Sequence, residues 1–473
     1  MRKMLALLLA ALLLGAAGLT YAAVRVSAPR EDVRFEERVV SGDPALADGL
    51  QLQVSSTFRK KLLWQSAVDF SKDGYRSQTG YRFFRTGYPE TADTPDCSIS
   101  IWNELDSIDP TGTERSAQTG LSAAFHALYE KTPAGASAEQ DVRLADYYTF
   151  YPLQIEISLP GGTRLRSNPL LDEPSITALA QAFQIPVLPN EYYRINLRKE
   201  ADGRCSETGY QTLSDENGLY DRFDLYTQSV CAGDALYFVF SSRTRLGGQV
   251  DLSRLPYGWG VFRLPHGRVD VQPEQLSVCC PLPEDAEIVL LNLNEDRTRL
   301  LLFTIEDGGF YLRVLDASDG RMLQLLRLRD FAAEDSWYRI EAAEGCVYLC
   351  FADETRILQR TQDGLYALWG AAARSELERT AQFGPNQAYQ ELRLAFDGER
   401  LALAGRLPLT YGDWWGAEKN CGFFLAVYTP QGLGFYAEYA SGLQAANAAL
   451  AWEDYTWRSL VRPVPGSLQL VFS

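Results

Sequence analysis

The chain has 473 residues with 61 acidic against 45 basic side chains, which gives a formal net charge of -16. This negative field repels phosphate backbones and anionic lipid surfaces, so nucleic acid is excluded as an expected partner. With 46% hydrophobic and 12% aromatic residues, the sequence predicts a packed protein. Its length exceeds what one core usually supports, so we expect a fold that repeats one unit.

The first 24 residues indicate export. Arg2 and Lys3 precede a nearly unbroken apolar run from Met4 to Val24, a pattern typical of secretion signals. About 20 apolar residues can also span a bilayer, so the run is either a cleaved signal peptide or an uncleaved membrane anchor. We expect a cell-membrane protein with an extracytoplasmic domain, or a secreted one if the signal is cleaved.

The segment that follows, over 25–57, is predicted to be a linker because it is charged and contains Pro29 and Pro44. Strand-like composition begins at Phe58 and continues to about residue 102. Helical spacing over 116–131 and again over 175–183 then predicts a blade with helical insertions within 103–190, or alternatively a small inserted subdomain.

The stretch from Ala286 to Leu328 shows the repeating unit most clearly. Four short apolar runs are separated by three acidic or glycine turns, in which aspartate and glycine tolerate the positive φ that tight hairpins need. Four strands joined in this way form one blade of a propeller. Comparable turns are predicted at Gly233-Asp234, Asp319-Gly320, Glu344-Gly345, Asp363-Gly364, Asp397-Gly398 and Gln431-Gly432.

Over roughly 192–473 this rhythm resembles WD40-like and quinoprotein-like β-propellers in general, although the chain contains no Trp-Asp dipeptide. The resemblance implies an all-β propeller over 58–473. Counting the strand-like runs at four per blade gives about seven blades, with six to eight as the range. The apolar run Ser467–Ser473 is expected to be the strand that closes the ring, because a free hydrophobic edge would favour aggregation.

The sequence predicts no metal site and no cofactor. The two histidines, His126 and His266, lie in unrelated contexts, and no pair of the eight cysteines has the spacing of a zinc site. Most of the cysteines lie in apolar strand runs, which favours buried free thiols; one or two disulfides between distant positions are the alternative. The loop Asp215–Asp221 has oxygen ligands around a glycine but lacks the EF-hand pattern.

Two aromatic loops are the candidate binding residues. The loop over 408–420 carries Tyr411, Asp413, Trp414 and Trp415, and a second loop carries Tyr257 and Trp259. Exposed aromatic rings on glycine-hinged loops can stack on sugars or anchor a partner protein. The alternative is that the rings fold back onto the hydrophobic rim of the propeller.

Three functions fit these features by analogy with the fold. The favoured one is a surface binding or protein-interaction module with a protein or carbohydrate ligand. The alternatives are a carboxylate-dependent hydrolase, active on carbohydrate or another substrate in the propeller channel, and a structural subunit of an envelope complex.

Overall fold

The structure, a computed structural model, describes most of the chain as two compact units. One takes the described residues within 1–92 and 334–473, and the other those within 93–333. The described residues are 12–20, 33–58, 60–87, 97–103, 120–160, 162–166, 176, 179–180, 183–213, 223–244, 250–255, 258–331, 338–343, 345–375, 377–378, 392–407, 422–443 and 461–473.

Antiparallel strands dominate both units, as the alternating apolar pattern predicts. The two longer α-helices among the described residues are α1 over 12–20 and α2 over Gly120–Lys131. The strands of the first half are β1 Phe35–Gly42, β2 Leu50–Phe58, β3 Leu62–Ser71, β4 Gly74–Phe83, β5 Ser98–Asn103, β6 Ser137–Arg143, β7 Leu153–Ser158, β8 Arg164–Arg166, β9 Tyr192–Lys199, β10 Cys205–Thr212, β11 Phe223–Ala232 and β12 Ala235–Thr244.

The second half of the chain is almost entirely strand and turn. Its strands are β13 Gly260–Pro265, β14 Ser277–Pro281, β15 Glu287–Leu293, β16 Arg299–Glu306, β17 Gly309–Asp316, β18 Met322–Asp330, β19 Tyr338–Ala343, β20 Cys346–Phe351, β21 Glu354–Arg360, β22 Tyr366–Ala373, β23 Leu392–Phe396, β24 Leu401–Arg406, β25 Phe423–Thr429, β26 Gly432–Ser441, β27 Val461–Pro463 and β28 Gln469–Phe472.

Three sheets are four-stranded meanders of consecutive strands: β11–β14, β15–β18 and β19–β22. The second of them confirms the predicted unit at Ala286–Leu328. Its hairpin turns have positive φ at residues that tolerate it, 45° at Asp307, 62° at Gly308 and 80° at Gly320, and also 56° at Arg297. β16 is almost wholly buried while β18 is largely exposed, so the apolar content of each strand follows its place in the sheet.

The unit that holds both ends of the chain is closed by long-range pairing. Its five-stranded sheet has the order β1-β26-β25-β24-β23, so β1 adds an edge strand to the sheet formed by 392–441. The other sheet has the order β27-β2-β3-β4, and β28 also pairs with β2. β28 therefore pairs as the predicted closing strand should. The predicted linker over 25–57 is wrong where β1 and β2 occupy it, since alternating residues of β2 are buried.

The segment between 97 and 212 departs from the meander. Its strands form two three-stranded sheets, β5-β7-β8 and β10-β9-β6, whose members interleave along the chain. α2 confirms the first predicted helix, and residues 176, 179 and 180 are helical within the second. The strands around α2 do not form a four-stranded blade, because β6 pairs with β9 and not with β7.

The predicted export segment is described only over α1. Its leucines are exposed, with relative accessibilities of 64–75% for Leu12, Leu13, Leu14 and Leu19. In the parts of the chain that the structure describes, none of the helices combines the length and the apolar character needed to cross a bilayer.

Candidate functional site

A ladder of side chains along one face of β11 positions the candidate site. Thr227 Oγ1 accepts a hydrogen bond from Ile101 N at 3.0 Å and donates to Ile101 O at 3.0 Å. Two residues on, Ser229 Oγ repeats both contacts with the backbone of Ile99, at 3.1 and 3.3 Å. Because alternate residues of a strand share a face, the next position on β11 is Cys231, and the next on the antiparallel β5 side is Cys97.

His266 completes this cluster. It follows β13 directly, and its backbone N–H donates to Asp234 O at 2.8 Å, which ties it to the turn after Cys231. His266 Nε2 lies 3.3 Å from the sulfur of Cys231 and 3.8 Å from the sulfur of Cys97. The three potential ligand atoms all lie within 4.8 Å of one another, and all three residues are buried.

The geometry of the ring fixes which nitrogen faces the sulfurs. His266 Nδ1 lies 2.8 Å from Gly267 O, and a carbonyl oxygen only accepts hydrogen bonds. Nδ1 therefore carries a proton, and Nε2 is the nitrogen that faces the two sulfur atoms. A carbonyl partner of this kind orients imidazole rings in metal sites.

The environment of Cys231 favours its thiolate. The hydrogen bond from Cys97, the neighbouring His266 and the nearby Arg297 lower the pKa of Cys231 to about 6, against the opposing effect of burial. The Arg297 guanidinium also donates to Cys231 O at 2.7 Å. By contrast, burial alone raises the pKa of Cys346 to about 12. The cluster therefore stabilises charge that an isolated buried thiol does not hold.

The aromatic residues predicted to bind a ligand are largely outside the described residues. Tyr257, Tyr411, Asp413, Trp414 and Trp415 lie there, as does the loop Asp215–Asp221. Trp259 is described, and it is buried with its Nε1 donating to Phe240 O at 3.3 Å. Its ring therefore packs in the core, whereas the prediction of a binding residue expected it to be exposed.

A polar cleft of about 470 Å³ lies where β2 changes partners. β2 pairs with β28 up to Gln53 and with β27 from Ser56. The turn over 464–467, which connects β27 and β28, lies beside the part of β2 between these two pairings. Ser467 Oγ holds it there by accepting hydrogen bonds from Ser55 N at 3.1 Å and from Arg406 Nη2 at 3.0 Å. The lining residues are Gln53, Val54, Ser55, Gln65, Ser66, Ala67, Val464, Pro465, Gly466, Ser467 and Gln469.

Buried carboxylates elsewhere have structural partners. Glu306 accepts from Arg313 Nη2 at 2.5 Å in the β16–β17 hairpin. Glu191 accepts from the hydroxyls of Tyr151 and Tyr193, at 2.5 and 2.8 Å. Glu378 accepts from the backbone and hydroxyl of Ser375, in the reciprocal arrangement of a helix capping box. These groups stabilise the fold where they lie.

The thiol and imidazole cluster could not be predicted from the sequence because its members are far apart in the chain. Cys97 and Cys231 precede His266 by 169 and 35 residues, so no local spacing marks them. The alternation of Thr227, Ser229 and Cys231 was the available signal, but it required knowing that β5 lies beside β11. No disulfide joins the seven cysteines that the structure describes, and Cys421 lies outside that part of the chain.

No protein-family model matches the chain, and no curated protein matches it either. Among solved structures, it is similar to the WD40 domain of SCAP from fission yeast, at 8% identity over 86% of this chain and 87% of that one, with a TM-score of 0.25. It is also similar to a putative 6-phosphogluconolactonase from Bacteroides uniformis, at 12% identity over 60% and 78%, with a TM-score of 0.25.

A third similar structure is a post-proline cleaving enzyme from Rickettsia typhi, at 10% identity over 84% of this chain, with a TM-score of 0.25. The chain spans about half of that enzyme, 52% of its length. It likewise spans 55% of a chain from a study of prolyl endopeptidases. Likenesses this weak carry no argument about function. The described residues themselves show an all-β protein of antiparallel sheets with three to five strands, three of which are four-stranded.

Proposed function

We propose that the chain is an exported β-propeller of about seven blades that acts as a binding module at the cell surface, held there by residues 4–24 if they are not cleaved. The described residues form seven sheets, three of them four-stranded meanders, which supports the propeller. The apolar run after Arg2 and Lys3 supports export.

The polar cleft at β2 carries the binding role. Its side chains present amides from Gln53, Gln65 and Gln469 and hydroxyls from Ser55 and Ser467, and its eleven lining residues contain no carboxylate. Neutral donors and acceptors suit a neutral, hydrogen-bonding ligand such as a glycan or an extended peptide. They do not suit hydrolysis by paired carboxylates, which needs two acidic groups across the substrate.

The three exposed glutamines make the cleft testable without touching the core. A chain with Gln53→Ala, Gln65→Ala and Gln469→Ala is compared with wild type for binding to a panel of neutral oligosaccharides and a panel of unstructured peptides. Each lost hydrogen bond costs about 0.5–1.5 kcal/mol, so we expect affinity to fall at least about tenfold. Gln51→Ala, an exposed glutamine of the same strand outside the cleft, is the matched control.

Two outcomes would contradict the proposal. In one, the wild-type chain and the triple variant bind a ligand equally well; in the other, the wild-type chain binds no ligand of either panel.

Export is tested separately by fusing residues 1–30 to a reporter enzyme that is active only outside the cytoplasm. The role of the aromatic loop over 408–420 in ligand binding remains a prediction. If it is right, replacing Trp414 and Trp415 by alanine should weaken binding of the same ligand.

A further inference from the structure

We propose that Cys97, Cys231 and His266 form a site for one thiolate-preferring metal ion of the zinc(II) or copper(I) class. The proposal is independent of the polar cleft, which lies in the other unit. It rests on how two sulfur atoms and one imidazole nitrogen converge in a buried place, and on the side chains and backbone groups that hold them there.

The distances fit a metal polyhedron. Bonds of about 2.3 Å to sulfur and about 2.0–2.1 Å to nitrogen, at a tetrahedral angle, place the two ligand atoms about 3.6 Å apart. The observed separations of His266 Nε2 from the sulfurs, 3.3 and 3.8 Å, lie on either side of that value. The two nitrogen–sulfur distances thus lie within a few tenths of an ångström of the value that a bound metal ion requires, and the two sulfur atoms lie within 4.8 Å of each other.

The surroundings are those of a preorganised site. The hydroxyls of Thr227 and Ser229 bind the backbone of β5 and so fix it beside β11, with Cys97 directly before β5 and Cys231 within β11. Gly267 O fixes the tautomer of His266, and Gly267 N in turn donates to Asp270 O at 2.9 Å, which closes the turn. Rigid supports of this kind lower the cost of assembling ligands around an ion.

The ligand set selects the class of metal. Two thiolates and one imidazole are soft to borderline donors, which disfavour calcium and magnesium and favour zinc or copper(I). Three protein ligands leave a fourth position on a tetrahedral ion for water or another ligand, whereas copper(I) can be satisfied by three. Binding would displace any proton still held by the two thiols into solvent, and no oxidation or reduction is involved.

The test uses the full chain, stripped of metal and kept reduced. Cobalt(II) is titrated in as a spectroscopic probe, and zinc(II) and copper(I) then compete for it. We expect one equivalent of cobalt with a thiolate-to-cobalt charge-transfer band. Cys231→Ala and His266→Ala should weaken cobalt binding at least a hundredfold, while Cys346→Ala, which removes a buried thiol of the other unit, should leave it unchanged.

A second measurement does not depend on the variants folding. In the wild-type chain, bound zinc or copper should slow alkylation of Cys97 and Cys231 under mild denaturant at least tenfold, and should not slow that of Cys205. The order of displacement decides between zinc and copper. The proposal is overturned if Cys231→Ala binds cobalt as tightly as wild type, if metal gives no protection, or if Cys97 and Cys231 form a disulfide in the chain while no metal binds.

Discussion

The sheet β15–β18 and the segment over 97–212 belong to one unit but are built in opposite ways. In the sheet, each strand pairs with the next one along the chain, through turns that the sequence marks with Asp and Gly. In the segment, β5 pairs with β7 across α2 and β6, and β6 pairs with β9 across β7 and β8. Local signals thus specify a meander completely, while interleaved pairing depends on contacts that no local pattern marks.

The largest expected effect tests whether the interleaved segment is as much part of the core as the meander. Phe303 in β16 and Phe125 in α2 are both fully buried. Phe303→Ala and Phe125→Ala should each lower the free energy of unfolding by about 3–5 kcal/mol, measured by urea denaturation. Leu325→Ala, at an exposed position of β18, is the control and should cost little. A loss below about 1 kcal/mol for Phe125→Ala would show that the packing of this segment contributes little to stability.

The next prediction concerns the charge pair inside the meander. Arg313 and Glu306 are both nearly inaccessible, and Arg313 also donates to Thr304 Oγ1 at 2.6 Å. Arg313→Leu should cost about 3–5 kcal/mol, because Glu306 is left buried without its cation. Replacing both residues by leucine should recover most of that loss. If Arg313→Leu unfolds at the same urea concentration as wild type, the buried pair does not contribute to the free energy of unfolding.

A smaller effect sharpens how the two regions are joined. Thr227→Val keeps the shape of the side chain but removes the hydroxyl that serves both Ile101 N and Ile101 O. Leaving those backbone groups without a partner should cost about 1–3 kcal/mol. The exposed Thr208→Val is the control. Hydrogen exchange at the Ile101 amide should also quicken, and an unchanged rate would mean that the hydroxyl does not hold β5.

The smallest expected effect is a pH dependence at a turn of the meander. Hydrogen bonds from the hydroxyl and backbone of Ser318 lower the pKa of Asp316 below its ordinary value of 3.8. A carboxyl whose pKa is lowered on folding contributes stability above pH 3.8 that is lost as the pH falls below it. Asp316→Asn should therefore flatten the decline of stability in acid, by less than about 1 kcal/mol. Identical acid-denaturation profiles for variant and wild type would contradict this.

The sequence predicted the parts of the fold that local chemistry controls. The structure has turns at the predicted positions Asp319-Gly320 and Asp363-Gly364, because glycine and aspartate tolerate the conformations needed there. The pairing of β1 was missed because its apolar residues are few: only Phe35 is buried in that strand. An edge strand held mainly by backbone hydrogen bonds looks like a charged linker in sequence.

The candidate sites were harder to predict than the fold. The polar cleft combines residues near 54, 66 and 466, and its existence depends on β2 changing partners. The thiol and imidazole cluster forms only because β5 lies beside β11, and the sequence pattern of neither strand predicts that proximity. Trp259 was instead predicted to be a site residue, because an aromatic residue between glycines suggested an exposed loop. Its ring packs in the core.

The pairing of β1 with β26 and of β28 with β2 also sets an order of events in time. Glu37 and Tyr439, which hydrogen-bond across the first pair of strands, are 402 residues apart, whereas the unit within 93–333 uses one continuous stretch of chain. During synthesis, that stretch can fold once it has emerged, but the other unit must wait for its last strands. Until then β1 lacks its partner β26 and β2 lacks its partners β27 and β28, so a chaperone that shields strand edges would serve this protein most during that interval.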